Sequence, residues 1–438
     1  MQKALNKVIV LLMILAAGFF IPAYAADTAQ INGSDTAWVL ISSMLVMLMT
    51  PGLALFYAGM VRKKNILGTL MQSFIALGVV SIIWVLWGYS LAFSPDYHGW
   101  GLIGGLGWFG LHGVGLEPVK YAPTIPHQAF MIYQMMFAVI TPALISGAIA
   151  ERFKFKTFLL FLVAWITFVY APLAHWVWGG GWISSRLGAL DFAGGLVVHI
   201  SSGVSALAAA IMVGNRRGYG KMPMPPHNLI LTILGVALLW FGWFGFNGGS
   251  ALSVGALAVS ACVATHIASA AAVLSWLFVE WIHRGKPTIL GLASGAVAGL
   301  VAITPAAGFV KPLPALVIGL VAGFVCYAFV SIIKPRLGLD DSLDAFGVHG
   351  IGGIWGAIAT GLFATVAVNS AGQNGYFYGN PPLLLNQVVS VVAAVVYAFV
   401  VSMIILKVLD VLVGLRINDN EEIQGLDLSQ HGEKVYKI

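Results

Sequence analysis

Runs of about 20 apolar residues recur along this chain between short polar connections, and that rhythm limits the fold more than any motif does. A helix needs ~20 such residues to cross the hydrocarbon of a bilayer. Eleven runs qualify, at about 36–60, 67–93, 127–149, 157–178, 192–213, 228–248, 254–281, 288–306, 313–333, 344–368 and 383–409. Unpaired backbone groups are costly in lipid, so such runs are read as helices. The expected fold is therefore an all-α polytopic membrane protein with eleven transmembrane helices. The longest connection, 94–126, is Gly-rich and contains Glu117-Pro118; no second soluble domain fits between the spans. Composition agrees, with 9% charged residues and 59% hydrophobic ones, where an average soluble domain carries roughly 25% charged residues. The chain divides into a membrane domain over 26–413 and a polar tail over 414–438.

The first residues are set apart. Lys3 and Lys7 precede an apolar run from Val8 to Phe20, and Ala23-Tyr24-Ala25 has the form of a cleavage site. Residues 1–25 read as a cleaved signal peptide, which leaves the mature N-terminus outside the cytoplasm. The basic residues give the same orientation independently. Connections after odd-numbered spans carry thirteen Lys and Arg, including Arg62-Lys63-Lys64, Arg152, Arg216-Arg217 and Lys334. Those after even-numbered spans carry three, namely Lys120, Arg186 and Lys311. The positive-inside rule then places the C-terminus in the cytoplasm. The excess of 22 Lys and Arg over 16 Asp and Glu is an orientation signal, and no nucleic-acid partner is expected. Cys262 and Cys326 lie in apolar runs and read as packed side chains, with no disulfide, metal site or cofactor indicated.

A faint internal repeat is visible. Span 5 opens Asp191-Phe-Ala-Gly-Gly and reaches His199, while span 10 opens Asp344-Ala-Phe-Gly and reaches His349. Span 1 ends Leu55-Phe-Tyr-Ala-Gly and span 6 ends Trp243-Phe-Gly-Phe-Asn. Matches five spans apart run oppositely through the membrane, the pattern of an inverted repeat of spans 1–5 and 6–10 plus one extra helix. Substrate paths commonly lie at such repeat interfaces.

Ionisable groups in lipid are expensive and tend to mark function. Here they are His175, His199, His266 and His349, with Glu280, Lys407 and Asp410 near span ends. Lys407 and Asp410 stand three apart on one helix and are expected to pair. Glu280 adjoins a basic loop, and His175 and His266 read as packing histidines. His199 and His349 differ because they occupy repeat-related positions. A neutral imidazole offers one donor and one acceptor, so two of them suit a small polar molecule in a dry channel. Asp191 and Asp344 read as helix N-caps, and Asp191 serves equally well to attract a cation. The glycines and serines after each histidine permit close helix approach. Depth alone does not bring the histidines together. His199 lies eight residues from Asp191, ~12 Å, and His349 lies five from Asp344, ~8 Å.

These motifs resemble the ammonium transporter (Amt/MEP/Rh) family on its bacterial Amt side. The resemblance rests on Asp191-Phe-Ala-Gly-Gly-Leu-Val-Val-His199, Asp344-Ala-Phe-Gly-Val-His349-Gly and Gly242-Trp-Phe-Gly-Phe-Asn-Gly-Gly-Ser250. Tyr133-Gln-Met-Met-Phe137-Ala, Ala150-Glu-Arg152 and His175-Trp-Val-Trp178-Gly-Gly-Gly fit as well, and the match runs from about residue 35 to the C-terminus. It implies a homotrimer in the cytoplasmic (inner) membrane with one narrow pore per subunit. It implies an ammonium recruitment site from Phe137, Trp178 and Ser250 with Asp191 beneath. It also implies a gate of stacked Phe137 and Phe246, and a pore pair of His199 and His349. Tyr133 stands at the gate where many members have Phe, which adds a hydroxyl. The tail, with Glu421-Glu422, Gly425-Leu-Asp427 and His431-Gly-Glu433, reads plainly as a solvated segment. It also resembles the segment through which bacterial members bind a PII signal protein.

The implied activity is transport of ammonium, not catalysis. The cation is held in an aromatic cage and deprotonated, and ammonia is conducted past the histidines. The alternatives are an ammonium sensor or a neutral gas channel of the same fold. A haem-binding membrane enzyme would need paired histidines on facing helices, usually several such pairs.

Overall fold

The computed structural model describes residues 31–436; the signal peptide expected over 1–25 lies outside the described residues. Among the described residues, eleven apolar helices follow one another. They are α1 (Gly33–Met60), α2 (Lys63–Phe93), α3 (His127–Ile149), α4 (Phe155–Val177), α5 (Gly195–Val213), α6 (Leu229–Ala251), α7 (Ala256–Arg284), α8 (Ile289–Ile303), α9 (Pro312–Leu337), α10 (Phe346–Phe363) and α11 (Pro381–Leu412). Ten are long and apolar enough to cross a membrane alone, and α8 is shorter. The eleven expected spans are present, with shifted ends. The spans placed at 288–306 and 344–368 overran, because α8 stops one residue short of Thr304-Pro305 and α10 turns back after Phe363. The 94–126 connection adds a feature unforeseen for an all-α chain, a short antiparallel pair of β1 (Pro118–Val119) and β2 (Ala122–Pro126).

Local chemistry starts the helices. Asn32 and Asn228 accept N–H bonds from the first turns of α1 and α6, and Thr288 does so for α8. α5 and α10 are capped from further away. The Asp191 carboxylate accepts from the N–H groups of Gly194, Gly195, Leu196 and Val197 at 2.6–3.4 Å. In α10 that office belongs to Asp341, which accepts from Ala345, Phe346 and Gly347 at 2.8–3.2 Å. The expected cap, Asp344, is displaced. It has φ +62°, and its carboxylate pairs with Lys334, so it faces away from the amides it was meant to satisfy.

Both capped helices open in a π-helical turn, Gly195–Ile200 in α5 and Phe346–Gly350 in α10. Such wide turns are uncommon and concentrate at functional sites. Directly beyond the histidines the helices touch at glycines. A Cβ on Gly203 would collide with the backbone of Gly350, and one on Gly353 would press on the Cβ of His199. Larger residues there would hold the helices apart, so the small residues that follow each histidine are what let them meet.

The basic loops gather at one end of the molecule. Glu151 accepts from Arg62 Nε at 2.7 Å and lies 3.5 Å from Arg216. Arg216 also makes a two-pronged pair with Asp340, at 2.8 and 2.9 Å. Arg152 donates to the carbonyls of Gly214 and Asp340. The tail is not the solvated segment that its polarity suggests. Residues 419–424 and 426–431 form two short helices, α12 (Asp419–Gln424) and α13 (Leu426–His431). Asp427 accepts from the N–H groups of Ile66 and Gly68 at 3.1 and 2.8 Å, and Glu422 takes Arg416 at 2.6 Å. Lys407 and Asp410 make no ion pair with each other; Lys407 is exposed, and Asp410 accepts from the Leu415 N–H.

Candidate functional site

α4 leaves the basic end and finishes at Trp178, so Trp178 stands at the opposite end. An open depression of about 260 Å³ lies there, walled by Tyr133, Gln134, Phe137, Trp178, Phe192 and Ser250. Its floor is aromatic. Phe137 and Phe246 stack with centroids 4.2 Å apart and planes at 28°, and both are buried. Trp178 meets Phe137 edge to face at 6.0 Å, and Tyr133 meets it at 5.0 Å. The indole N–H of Trp178 donates to the Asp191 carbonyl at 2.9 Å. Asp191 therefore steadies both the Trp178 wall of the depression and the start of α5, and its carboxylate accepts from backbone N–H groups.

Phe246 lies in another π-helical turn, Phe244–Gly248, near the end of α6. The Tyr133 hydroxyl is 2.9 Å from the carbonyls of both Gly245 and Phe246 and 3.2 Å from Ser250 Oγ. Ser250 Oγ donates to the Phe246 carbonyl at 2.8 Å. The hydroxyl that distinguishes Tyr133 is thus spent on the end of α6, and it ties the stacked rings to the Ser250 corner of the depression.

Behind the stacked rings the row continues. Phe246 and His199 stack at 6.0 Å, and His199 and His349 stack at 5.4 Å with planes at 25°. The two Nδ1 atoms are 3.3 Å apart. The histidines therefore touch, which their spacing in the chain did not establish. They border a cavity of about 10 Å³, lined otherwise by apolar groups such as Leu53, Ile140, Leu144 and Val297. That is about one water-sized sphere. The space suits one small polar molecule at a time and offers it almost nothing but imidazole.

Sequence reasoning missed three residues here. Asp341 was legible: it precedes His349 by eight residues, as Asp191 precedes His199. The repeat had been aligned on Asp344, three positions too late. Trp243, stacked on His199 at 5.5 Å, lies in the Gly242–Ser250 motif without a role of its own there, and Thr304, 3.3 Å from His199 Nε2, carried no signal as a site residue. The remaining histidines diverge. His175 packs inside as expected, with its ring nitrogens 2.9 Å from the Ala92 carbonyl and 2.9 Å from Asp96. His266 does not; it lies on an exposed face of α7, against Trp240.

Comparison with known proteins identifies the family. The family model described as Ammonium Transporter Family matches residues 37–436. An ammonium transporter of Bacillus subtilis (strain 168) is 56% identical over 403 residues, covering 92% of this chain and 98% of the relative. Ammonium transporter Amt1 of Archaeoglobus fulgidus is 51% identical, covering 92% and 100%. Among solved structures, Saccharomyces cerevisiae Mep2 superposes with a TM-score of 0.84 at 38% identity, covering 89% of each chain. A structure described as a sensor Amt protein gives 0.84 at 31% identity, covering 91% and 98%. Family and fold together support ammonium transport by a multi-pass membrane protein, and the relatives, named as transporters, point away from an enzyme. The chain belongs to the Ammonium Transporter Family.

Proposed function

We propose that this protein recruits ammonium at the aromatic depression, where the cation gives a proton to the water of the open mouth, and conducts ammonia past His199 and His349. The observation that carries the reading is the unbroken row from Trp178 through Phe137, Phe246 and His199 to His349, ending at a cavity of about 10 Å³. An ion entering so dry a passage loses its hydration at high cost. Aromatic faces return on the order of 2 kcal/mol to a desolvated cation, and Ser250 adds an oxygen beside them. They hold the ion at the mouth but do not carry it inward. Behind the rings only the uncharged molecule is small and weakly solvated enough to proceed. In this reading Asp191 acts through Trp178 and α5, with its negative charge beneath the cage favouring a cation above.

The same reading places the depression outside the cytoplasmic membrane and the basic end, with the C-terminal tail, inside. It takes the working form as a homotrimer with one pore per subunit, and the tail and basic loops as the docking face for a PII signal protein. A reconstitution experiment tests the transport step. Proteoliposomes receive an ammonium pulse while current and internal pH are recorded. A response above that of empty liposomes is expected, and one equal to empty liposomes would overturn the proposal. Equal permeation by urea would replace it with a neutral-solute channel.

A further inference from the structure

The hydrogen bonds around the histidine pair are sufficient to order its protons. Thr304 Oγ1 has three polar neighbours. It is 2.7 Å from the Leu300 carbonyl, 2.9 Å from Trp243 Nε1 and 3.3 Å from His199 Nε2. A carbonyl only accepts and an indole N–H only donates, whereas a hydroxyl has one proton and two lone pairs. The Thr304 proton therefore goes to Leu300, its nearest acceptor. One lone pair takes the Trp243 N–H, and the other faces His199. His199 must meet it with a proton on Nε2.

The rest follows along the pair. In an uncharged imidazole, a proton on Nε2 leaves Nδ1 bare. The contact at 3.3 Å between the two Nδ1 atoms then requires His349 to donate from its own Nδ1. His349 Nε2 is left unprotonated, with no hydrogen-bond partner among the described residues, on a residue that lines the cavity. We infer that Thr304 is a positioning residue that sets the proton order of the histidine pair, with Trp243 fixing the Thr304 hydroxyl, so that His349 presents a bare acceptor nitrogen to the pore. The occupant this favours is a small neutral molecule that donates an N–H bond. The inference rests on the pore reading above for its consequence, though not for the proton order itself.

Nitrogen-15 NMR of histidine-labelled protein in lipid bilayers reads the order directly, because protonated and bare imidazole nitrogens resonate apart. Signals are assigned by subtraction of His199→Gln and His349→Gln spectra. The expected pattern is His199 protonated on Nε2 and His349 on Nδ1; the opposite pattern overturns the inference. Thr304→Val keeps the shape and removes the oxygen. It is expected to scramble the pattern and to slow methylammonium turnover about fivefold, the worth of roughly one buried hydrogen bond, with KM little changed. Thr304→Ser restores both. If Thr304→Val fails to fold, Trp243→Phe keeps a ring on His199 and deletes the N–H, and should produce a smaller scrambling. A spectrum unaltered in the folded variant also overturns the inference. Wild-type liposomes that carry no methylammonium would remove the transport reading, while the nitrogen spectrum would still decide the proton order.

Discussion

The starts of α5 and α10 share a backbone design and differ in what grips the histidine. Each has an aspartate eight residues before its histidine, a carboxylate filled by backbone N–H groups, and a π-helical turn that carries the ring. There the likeness stops. His199 is flanked by Trp243 and reaches Thr304, while His349 has His199 as its hydrogen-bond partner. Asp191 holds Trp178 with its carbonyl, while Asp341 lies beside the Lys334–Asp344 pair. The repeat supplies two similar halves. Residues outside these two helix starts, Trp243 on α6 and Thr304 just after α8, touch His199 and not its counterpart.

The comparison is broken most severely at the caps. Asp191→Ala strands four amides in a dry setting. A lost N-cap costs up to about 2 kcal/mol, and buried unpaired groups add about 1–3 kcal/mol more. The thermal midpoint in detergent should fall further than for Asp341→Ala, which strands three amides near the basic end. Equal losses would mean that the two starts are not separately supported.

The next effect concerns acid. Burial pushes the Glu151 carboxyl up, but the Arg216 charge and the Arg62 bonds outweigh it and hold it below the usual range. Burial likewise opposes ionisation of Asp340, and bonds from Arg216 with the Arg152 charge bring it down. A depressed carboxyl contributes stability that is present above its unfolded value of about 4 and is lost as pH falls through the folded one. Hydrogen exchange followed from pH 7 to about 3.5 should therefore show the loops at 150–154, 214–217 and 338–342 opening before the segment that starts α5. Uniform opening would contradict this. The smallest effect is expected from Tyr133→Phe, which gives up one hydroxyl contact with Gly245, Phe246 and Ser250. It should cost about 1 kcal/mol, seen as a modest rise in KM for methylammonium.

Much of this was legible beforehand, for identifiable reasons. Span number followed from apolar run length, and the family from motifs lying in order. His199 and His349 stood out among the imidazoles in apolar runs because they occupy repeat-related positions. The contact between them was not legible. It depends on a crossing at Gly203 and Gly350, which looks in sequence like ordinary small-residue packing. Asp344 adjoins the helix and so reads as its cap; the π-helical start is capped from further back, by Asp341. The docked tail was misjudged because its charged residues find partners far away in the chain, in Lys64, Arg217 and the α2 amides. Thr304 looked like any threonine in an apolar stretch, and its part depends on three neighbours brought together only by the fold.

The central claim, that ammonia travels along the row ending at the paired histidines, is tested most directly by methylammonium uptake in proteoliposomes carrying His199→Ala. The account predicts that uptake falls to the level of empty liposomes while the folded protein is retained. Uptake unchanged from wild type would contradict it.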